Sequence, residues 1–519
     1  MNEHTQGPLR LVLVTCDGDD LSDSQALLID RLGADPRIEL AGRVAGAGPQ
    51  ETPGIPLALR AVLSFERLLV RSRILPYDTE PARRLLEGLP RFQPEHGDWQ
   101  CDLAVALGAG RLPRAGLDRA RYGEWAVSYA GASDPTSFAA APEVRAQPRT
   151  EVEITARTAK QPLPVVRRKT GYSPKPGAVL NGAFVAEKTV LFLMHEIRLL
   201  AEGRAVAPEA TAPMPAPEPP GMSATIAYMA DFFRKSVRKL SESLRQRRNR
   251  ARQFWRIARG EGDIFDFEPA NAEDLPARRH LMADPFLFEH KDDVWVFYEA
   301  TNADGGQGWI EAARLSGAEA GPSEVALKCP YHLSFPCVFS TGDEIYMIPE
   351  TQESRRLEVW RATGFPSKWT LHATAFEGQY LADSSMFRAD DGQWWLLTNL
   401  SEHYAFQDHS SELYLFAVDG PDLKSIAPHK DNPVVFGADR ARNAGAIIRH
   451  QGRLFRPSQN NSFGVYGYGL NLMEILRLDH SGYEERIFRQ FTPADKPGSI
   501  ALHHFSAAGG QYVFDWSGE

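Results

Sequence analysis

Five stretches in the C-terminal half of this 519-residue chain repeat one short pattern, and that repetition restricts the fold more than any other feature. They are ADPFLFEHKDDVWVFYE (283–299), FPCVFSTGDEIYMIPE (335–350), ADSSMFRADDGQWWLLTN (382–399), RNAGAIIRHQGRLFRPSQ (442–459) and HHFSAAGGQYVFDW (503–516). Each joins a short apolar strand through a polar turn to a second strand with an aromatic residue or Leu just after the turn, which is a β-hairpin. The markers Trp295, Tyr346, Trp394, Leu454 and Tyr512 recur at a spacing of about 50 to 60 residues, leaving room for two more strands per unit. Strand-like segments fill part of that room at 359–362, 369–376, 413–418 and 474–479. Five units of four strands predict an all-β, five-bladed propeller. Seven of the ten tryptophans follow residue 290, as aromatic packing between blades requires. A β-sandwich with irregular loops would leave the repeated hairpin unexplained.

In a propeller the innermost strand lines the central channel and its antiparallel partner returns to the same face. Strand starts and partner ends therefore meet. The starts contribute Asp284, His332 with Pro336, Asp383, Arg442 with Asn443, and His503 with His504; the ends contribute Glu299, Glu350, Asn399, Gln459 and Asp515. Polar strand caps occur on any propeller, but acids at equivalent repeat positions point to a binding site. Carboxylates from different blades facing one pocket support glycosyl chemistry, one as base or nucleophile and one as an acid of raised pKa. Asp284, Glu350 and Asp383 are the candidate catalytic residues. Glu299, His332, Arg442, Asn443, Arg456, Gln459 and His504 are the candidate substrate-binding residues. Adjacent residues of a strand point to opposite faces, so at most one of His503 and His504 is expected to face the channel, and no metal site is assigned.

Upstream, residues 9–200 alternate short apolar strands with helical patterns, the order of an α/β Rossmann-like domain over 1–202. Strands are expected at 9–17, 38–46, 101–110, 124–131 and 163–171, with a helix at 23–32 capped by Ser22 or Asp23. The turn Cys16-Asp17-Gly18-Asp19-Asp20 lacks the GxGxxG spacing and would repel a pyrophosphate, so no dinucleotide site is expected. A Pro/Ala-rich linker spans 203–222. An amphipathic helix, strongly cationic over 234–252, is expected within 223–260, before a propeller over 261–519. Its basic face is either solvated or attached to an anionic membrane surface or an acidic partner. A net charge of −9 argues against a general nucleic-acid binder. Four cysteines without CxxC spacing read as free thiols in a reducing compartment. No signal core and no segment of bilayer length is apparent. The expected location is therefore the cytoplasm, peripheral at the inner membrane where the helix attaches.

The segment CDLAVALGAG followed by ARYGEW (120–125) resembles the formyltransferase fold, which places an Asn and a catalytic His soon after the Tyr-Gly pair. This chain reads Trp125-Ala126-Val127-Ser128-Tyr129 there, which implies a degenerate, non-catalytic domain. Asp284 in Ala-Asp-Pro and Asp383 in Ala-Asp-Ser resemble the first- and third-blade acids of the family 43 and invertase-type glycoside hydrolases. Those enzymes carry a Glu acid on the fourth blade, where this chain has Arg442-Asn443-Ala444-Gly445. A longer resemblance runs through DPFLF (284–288), HLSFP (332–336), YMIPET (346–351), RNAGAI (442–447), RPSQ (456–459) and YGYGLNLMEI (466–475). It is to the propeller domain named after glucosamine inositolphosphorylceramide transferases, which bacterial proteins join to a formyltransferase-like region. That resemblance implies sugar handling in bacterial glycan or glycolipid biosynthesis. It suggests a glycosyltransferase using a nucleotide-sugar donor, with Arg442 and Arg456 on the donor phosphate unless they pair with neighbouring acids. Asp284 or Glu350 would activate the acceptor and Asp383 would orient the sugar. A five-bladed glycoside hydrolase using Asp284, Asp383 and Glu350, and a non-catalytic glycan-binding scaffold, are the alternatives.

Overall fold

The computed structural model describes residues 7–16, 20–48, 56–96, 99–136, 141–204, 207–209, 211–218, 220–246, 254–302, 306–316, 319–402 and 404–518. They fall into two units, Met1–Ser236 with His403–Gln407, and Val237–Glu402 with Asp408–Glu519.

The first unit is built on one sheet of seven strands: β1 (Leu9–Thr15), β2 (Ile38–Ala45), β3 (Arg91–Phe92), β4 (Leu103–Ala106), β5 (Glu124–Tyr129), β6 (Thr150–Arg157) and β7 (Val165–Tyr172). Their order is β3-β2-β1-β4-β5-β6-β7, parallel through β5 and antiparallel beyond it. Leu11, Val12, Leu13 and Val14 on central β1 are all buried, because a parallel strand covered on both faces has no polar side. The helix after β1, Asp23–Ala34, starts at Ser22 as expected. Ser22 Oγ accepts from the Gln25 N–H while Gln25 Oε1 accepts from the Ser22 N–H, a capping box. Asp17 to Asp19, in the acidic turn, lie outside the described residues. Asp102 fastens β4 to β1 through the Arg10 N–H at 2.9 Å.

Two expectations change here. The helix Ala178–Ala201 is long and apolar enough to cross a bilayer, with mean hydropathy 1.2, but 89% of that stretch is buried in the unit, so it is the core helix. The described part of the Pro/Ala segment is not a free spacer. The Thr211 carbonyl accepts from the Val166 N–H at 3.0 Å, and the Glu153 carboxylate accepts from the Met214 N–H at 3.0 Å.

The second unit contains five β-sheets arranged as blades. Their inner strands are Leu281–His290, Ser334–Thr341, Leu381–Arg388, Ile448–His450 and Ser499–Ala508. Each pairs antiparallel with the strand of its expected hairpin: Asp293–Thr301, Glu344–Glu350, Trp394–Leu400, Arg453–Asn460 and Gln511–Gly518. The fourth inner strand is short, and residues 442–447 reach it through the isolated bridge Asn443–Ser458.

The fifth blade is completed from the other end of the propeller. Its outer strands are Phe254–Glu261 and Glu273–Asp274, with Phe514 opposite Ala258 and Val513 opposite Arg259. The helix expected to run to about 258 instead spans Met222–Gln246, and 254–261 is a strand. The basic run masks the change of period, since the alternating Trp255-Arg256-Ile257 comes only after it ends. Of that run, Arg234 pairs with Asp231 at 2.6 Å. The side chains of Lys235, Arg238, Lys239 and Arg245, and all of Arg247, Arg248, Arg250 and Arg252, lie outside the described residues.

Closing the ring with a strand from upstream makes the last blade depend on both ends of the domain. Ile257 is 1% exposed and packs with Met282, Leu287 and Val513. Ile257→Ala is expected to cost about 2–5 kcal/mol, read as a lower denaturation midpoint of the full chain by tryptophan fluorescence. An unchanged midpoint would show that this strand does not close the ring.

Candidate active site

The inner strands of the first three blades carry the same irregularity. The ladder shifts register between Ala283 and Phe286, Ser334 and Cys337, and Ala382 and Ser385. At each shift one residue takes left-handed backbone: Asp284 (φ 50°), Phe335 (φ 46°) and Asp383 (φ 49°). A bulge of this kind re-aims a side chain that strict alternation would place elsewhere. It also leaves a peptide N–H without a ladder partner, and side chains take up those groups. Asp515 accepts from the Asp284 N–H at 2.8 Å, Asp284 from the Phe335 N–H at 3.1 Å, and Glu350 from the Asp383 N–H at 3.2 Å. On the fourth blade Asn399 Oδ1 accepts from the Asn443 N–H at 2.9 Å. Polar residues at equivalent repeat positions are therefore partly a hydrogen-bonding girdle between blades.

Around Asp284 the fifth blade supplies both histidines. Its ladder also shifts, between Leu502 and His504, so the expectation that only one of the pair reaches the channel side fails. The Nε2 of His503 lies 3.3 Å from Asp284 Oδ1 and its Nδ1 lies 2.7 Å from Asp515, so one ring bridges two buried carboxylates. His504 Nδ1 is 3.6 Å from the same Asp284 oxygen, with the ring wedged between Phe286 and Phe335. Burial would raise the Asp284 pKa, but the His504 and His503 imidazoles hold it down at about 2. Burial would lower that of His503, but Asp515 and Asp284 raise it to about 9. Asp284 is thus ionised and His503 is an imidazolium near neutral pH. Asp284, His503 and Asp515 have the spacing of a possible metal group. Both ring nitrogens of His503 already face carboxylates, which fits an ion-pair relay better than a cation site.

Asp383 anchors the opposite side. Arg442 Nε donates to its Oδ2 at 2.6 Å, Gln459 Nε2 donates to the same oxygen at 3.2 Å, and Arg442 Nη2 lies 3.9 Å from Glu350. Burial and the Asp383 carboxylate push Glu350 well above the usual carboxyl range, and Arg442 offsets this only in part. Glu350 is thus biased towards its neutral form where Asp284 is held ionised. Solvent reaches 13% of the Glu350 side chain, 9% of Asp284 and 4% of Asp383, so the acids form a nearly closed polar cluster. Tyr466, 43% exposed, stands at its edge, with Arg442 5.0 Å from the ring centroid and His503 at 5.2 Å.

The other expected residues separate into two groups. His332 and Glu299 pair at 3.2 Å, and the Gly308 N–H donates to His332 Nδ1 at 2.9 Å, so the His332 Nε2 proton faces Glu299. Asn443 and Arg456 do not present themselves to a ligand. Asn443 is fully buried, donating to the Asp383 carbonyl at 2.8 Å. Arg456 is fully buried, donating to both Glu485 oxygens at 2.8 and 2.6 Å and to the Arg440 carbonyl. Its expected role on a phosphate gives way to a structural ion pair. His503, named with His504 among the strand starts, is not in the candidate substrate-binding set, and Tyr466 is marked only by the quoted YGYG stretch. His409, near Arg442, had no repeat position to mark it. Burial and Arg442 lower it to about 4, leaving it neutral with Nδ1–H on the Asn399 carbonyl. Trp255, 4.0 Å from the His503 ring, comes from the closing strand.

Residues 265–498 match the family described as glucosamine inositolphosphorylceramide transferase 1, N-terminal. The transferase of that name from Oryza sativa subsp. japonica is 35% identical over 211 residues, covering 40% of this chain and 28% of the relative. The one from Arabidopsis thaliana is 32% identical over 236 residues, covering 44% and 30%. The matched region is thus under a third of these relatives' length. Among solved structures, a family 43 β-xylosidase/α-arabinofuranosidase from a compost microbial metagenome is 14% identical, covering 45% of this chain and 84% of that chain at a TM-score of 0.34. An exo-β-1,3-galactanase from Phanerochaete chrysosporium is 12% identical, covering 50% and 64% at 0.36.

A histidine whose pKa rises on folding adds stability that is complete below its unfolded pKa and lost as pH climbs through the folded one. The His503 contribution is therefore expected to fade between pH 6.5 and about 9. Thermal unfolding across that window should bring the wild type towards His503→Gln. A constant gap between the two would mean that His503 carries no charge in the folded protein.

Proposed function

We propose that the propeller face catalyses glycosyl transfer in glycan or glycolipid assembly, with Glu350 as the acid and Asp284 as the base. The observation that carries this reading is the opposite bias of two carboxyl groups from adjacent blades within one buried polar cluster. Asp284, held as a carboxylate, takes the proton of an acceptor hydroxyl as that oxygen attacks the anomeric carbon. The bond from that carbon to the leaving oxygen breaks, and Glu350 gives its proton to the departing oxygen. Asp383, fixed by Arg442 and Gln459, orients the sugar and sustains the high pKa of Glu350. Tyr466 offers an aromatic face at the edge. Relatives named glucosamine inositolphosphorylceramide transferase 1 support transfer to an acceptor, and a lipid-linked acceptor is consistent with their name. The α/β unit is read as a non-catalytic, formyltransferase-like companion. The basic helix is read as a contact to an anionic membrane surface.

Hydrolysis of a glycoside is the second reading, and the arginines favour it. Arg442 is held by Asp383 and Arg456 by Glu485, so a nucleotide-sugar phosphate loses the two ligands expected for it. A protonated acid also suits an alkoxide leaving group, which needs a proton, better than a nucleoside diphosphate.

Calorimetric titration of the full chain with nucleotide sugars and with oligosaccharides, followed by product and reducing-sugar assays, separates the readings. Asp284→Asn and Glu350→Gln are each expected to lower turnover by roughly 10²–10⁴-fold while leaving binding nearly unchanged. Transfer to an added acceptor sustains the first reading, and release of free sugar sustains the second. Full turnover in both variants overturns the acid–base assignment. Binding without turnover by the wild type leaves a recognition module.

A further inference from the structure

The first unit holds a cavity of about 840 Å³ at the carboxyl end of its parallel strands. It lies between the Ser22–Gln25 start of the first helix and the Leu107–Ala109 loop after β4, where the strand order reverses direction from β1. Crevices at this point in open α/β sheets are where ligands bind. The walls here suit an apolar chain. Val127, Tyr129, Val190 and Leu193 line the interior, and the core helix Ala178–Ala201 turns Gly182, Ala183 and Ala186 towards the space. These residues recur at helical spacing, and their missing side-chain volume leaves the cavity open.

The mouth is different in character. Arg67, Leu68, Arg71 and Leu75 line it and are exposed, Leu68 at 68% and Leu75 at 53%. The helix Leu57–Val70 continues this surface with Leu57, Phe65 and Leu69 in solvent. Between residues 57 and 73 the chain has four arginines and one acid, and that acid, Glu66, is buried on the Val179 N–H at 2.8 Å. Among the described residues neither Arg67 nor Arg71 has an ionic partner. The acids lining the cavity accept from backbone instead: Asp23 from the Tyr77 N–H, Asp134 from Thr136 and Glu187 from Ala405. A largely apolar interior beneath two cations with no ionic partner among the described residues, within an exposed apolar surface, matches an anionic head on a long hydrocarbon chain.

We propose that this cavity binds the hydrocarbon chain of an anionic amphiphile, with Arg67 and Arg71 on its phosphate or carboxylate head. The site is separate from the propeller chemistry and does not depend on it.

The test titrates the full chain with dodecyl phosphate below its micelle concentration, and in parallel with farnesyl phosphate, butyl phosphate and dodecanol. Saturable binding of dodecyl or farnesyl phosphate is expected, with butyl phosphate and dodecanol each at least about tenfold weaker. The tighter of the first two identifies an acyl or a prenyl chain. Ala183→Trp, which fills the cavity, is expected to weaken binding by at least about tenfold. The double variant Arg67→Ala with Arg71→Ala is expected to abolish the preference for the phosphate over the alcohol. Circular dichroism melts confirm that each variant folds. Should Ala183→Trp fail to fold, the chain-length comparison in the wild type decides the matter. No saturable binding of either long-chain phosphate, equal binding of butyl phosphate, or binding indifferent to both folded variants overturns the proposal.

Discussion

The propeller's centre rests on peptide N–H groups released where its inner strands bulge. A bulge breaks the ladder inside a blade, and a buried N–H left unpaired there would cost about 1–3 kcal/mol. In the first three blades the donor is met from the neighbouring blade, while at the fifth-blade bulge Asp515 of the same blade accepts from the His504 N–H. Asp515 links the fifth to the first, Asp284 the first to the second, Glu350 the second to the third and Asn399 the third to the fourth. The Phe505 N–H donates to the Ala444 carbonyl and links the fifth to the fourth. In the first three blades the bulge that re-aims a side chain also frees the N–H that an acid of the neighbouring blade accepts, so structural and chemical roles share the same residues.

That sharing determines the electrostatics. Once the carboxyl groups are buried beside one another, their surroundings cannot be equal. Asp284 has two imidazoles and an N–H at hand, so its charged form prevails. Glu350 faces Asp383, whose guanidinium partner is already committed to Asp383, so its neutral form prevails. Arg442, at the start of the fourth blade, fixes Asp383 and only partly offsets the upward push on Glu350. Arg456 shows the same economy in the blade core, where both Glu485 oxygens and a carbonyl satisfy its fork. Removing one partner of such a pair would strand the other charge.

The first unit obeys a simpler rule. Leu11 to Val14 of its central strand and most of its core helix are buried, and the helix takes Asn181, Glu187, Lys188 and Glu196 into the interior with its apolar residues. Hydropathy by itself cannot separate such a helix from one that crosses a bilayer. Packing against the sheet is what distinguishes Ala178–Ala201. The same helix leaves a gap where its residues are small.

The five hairpins, the blade count and the order of α/β elements were legible in the linear chain, because period and turn chemistry are local properties. So were Asp284, Glu350 and Asp383, since each falls at a repeat-equivalent position beside a turn or strand end. The partner of the last blade was not legible, because strand pairing between residue 258 and residue 514 has no local signature. The fates of Arg442, Arg456 and Asn443 were likewise undecided, as a guanidinium or amide near several acids chooses by distance and burial. His503 and His504 illustrate the limit most clearly. Strict alternation sends them to opposite faces, and only the bulge, a feature of three-dimensional pairing, brings both to one Asp284 oxygen. Sequence alone determined which chemical groups the centre contains; tertiary structure decided which of them carry protons, because burial and neighbours rather than residue type set the charge.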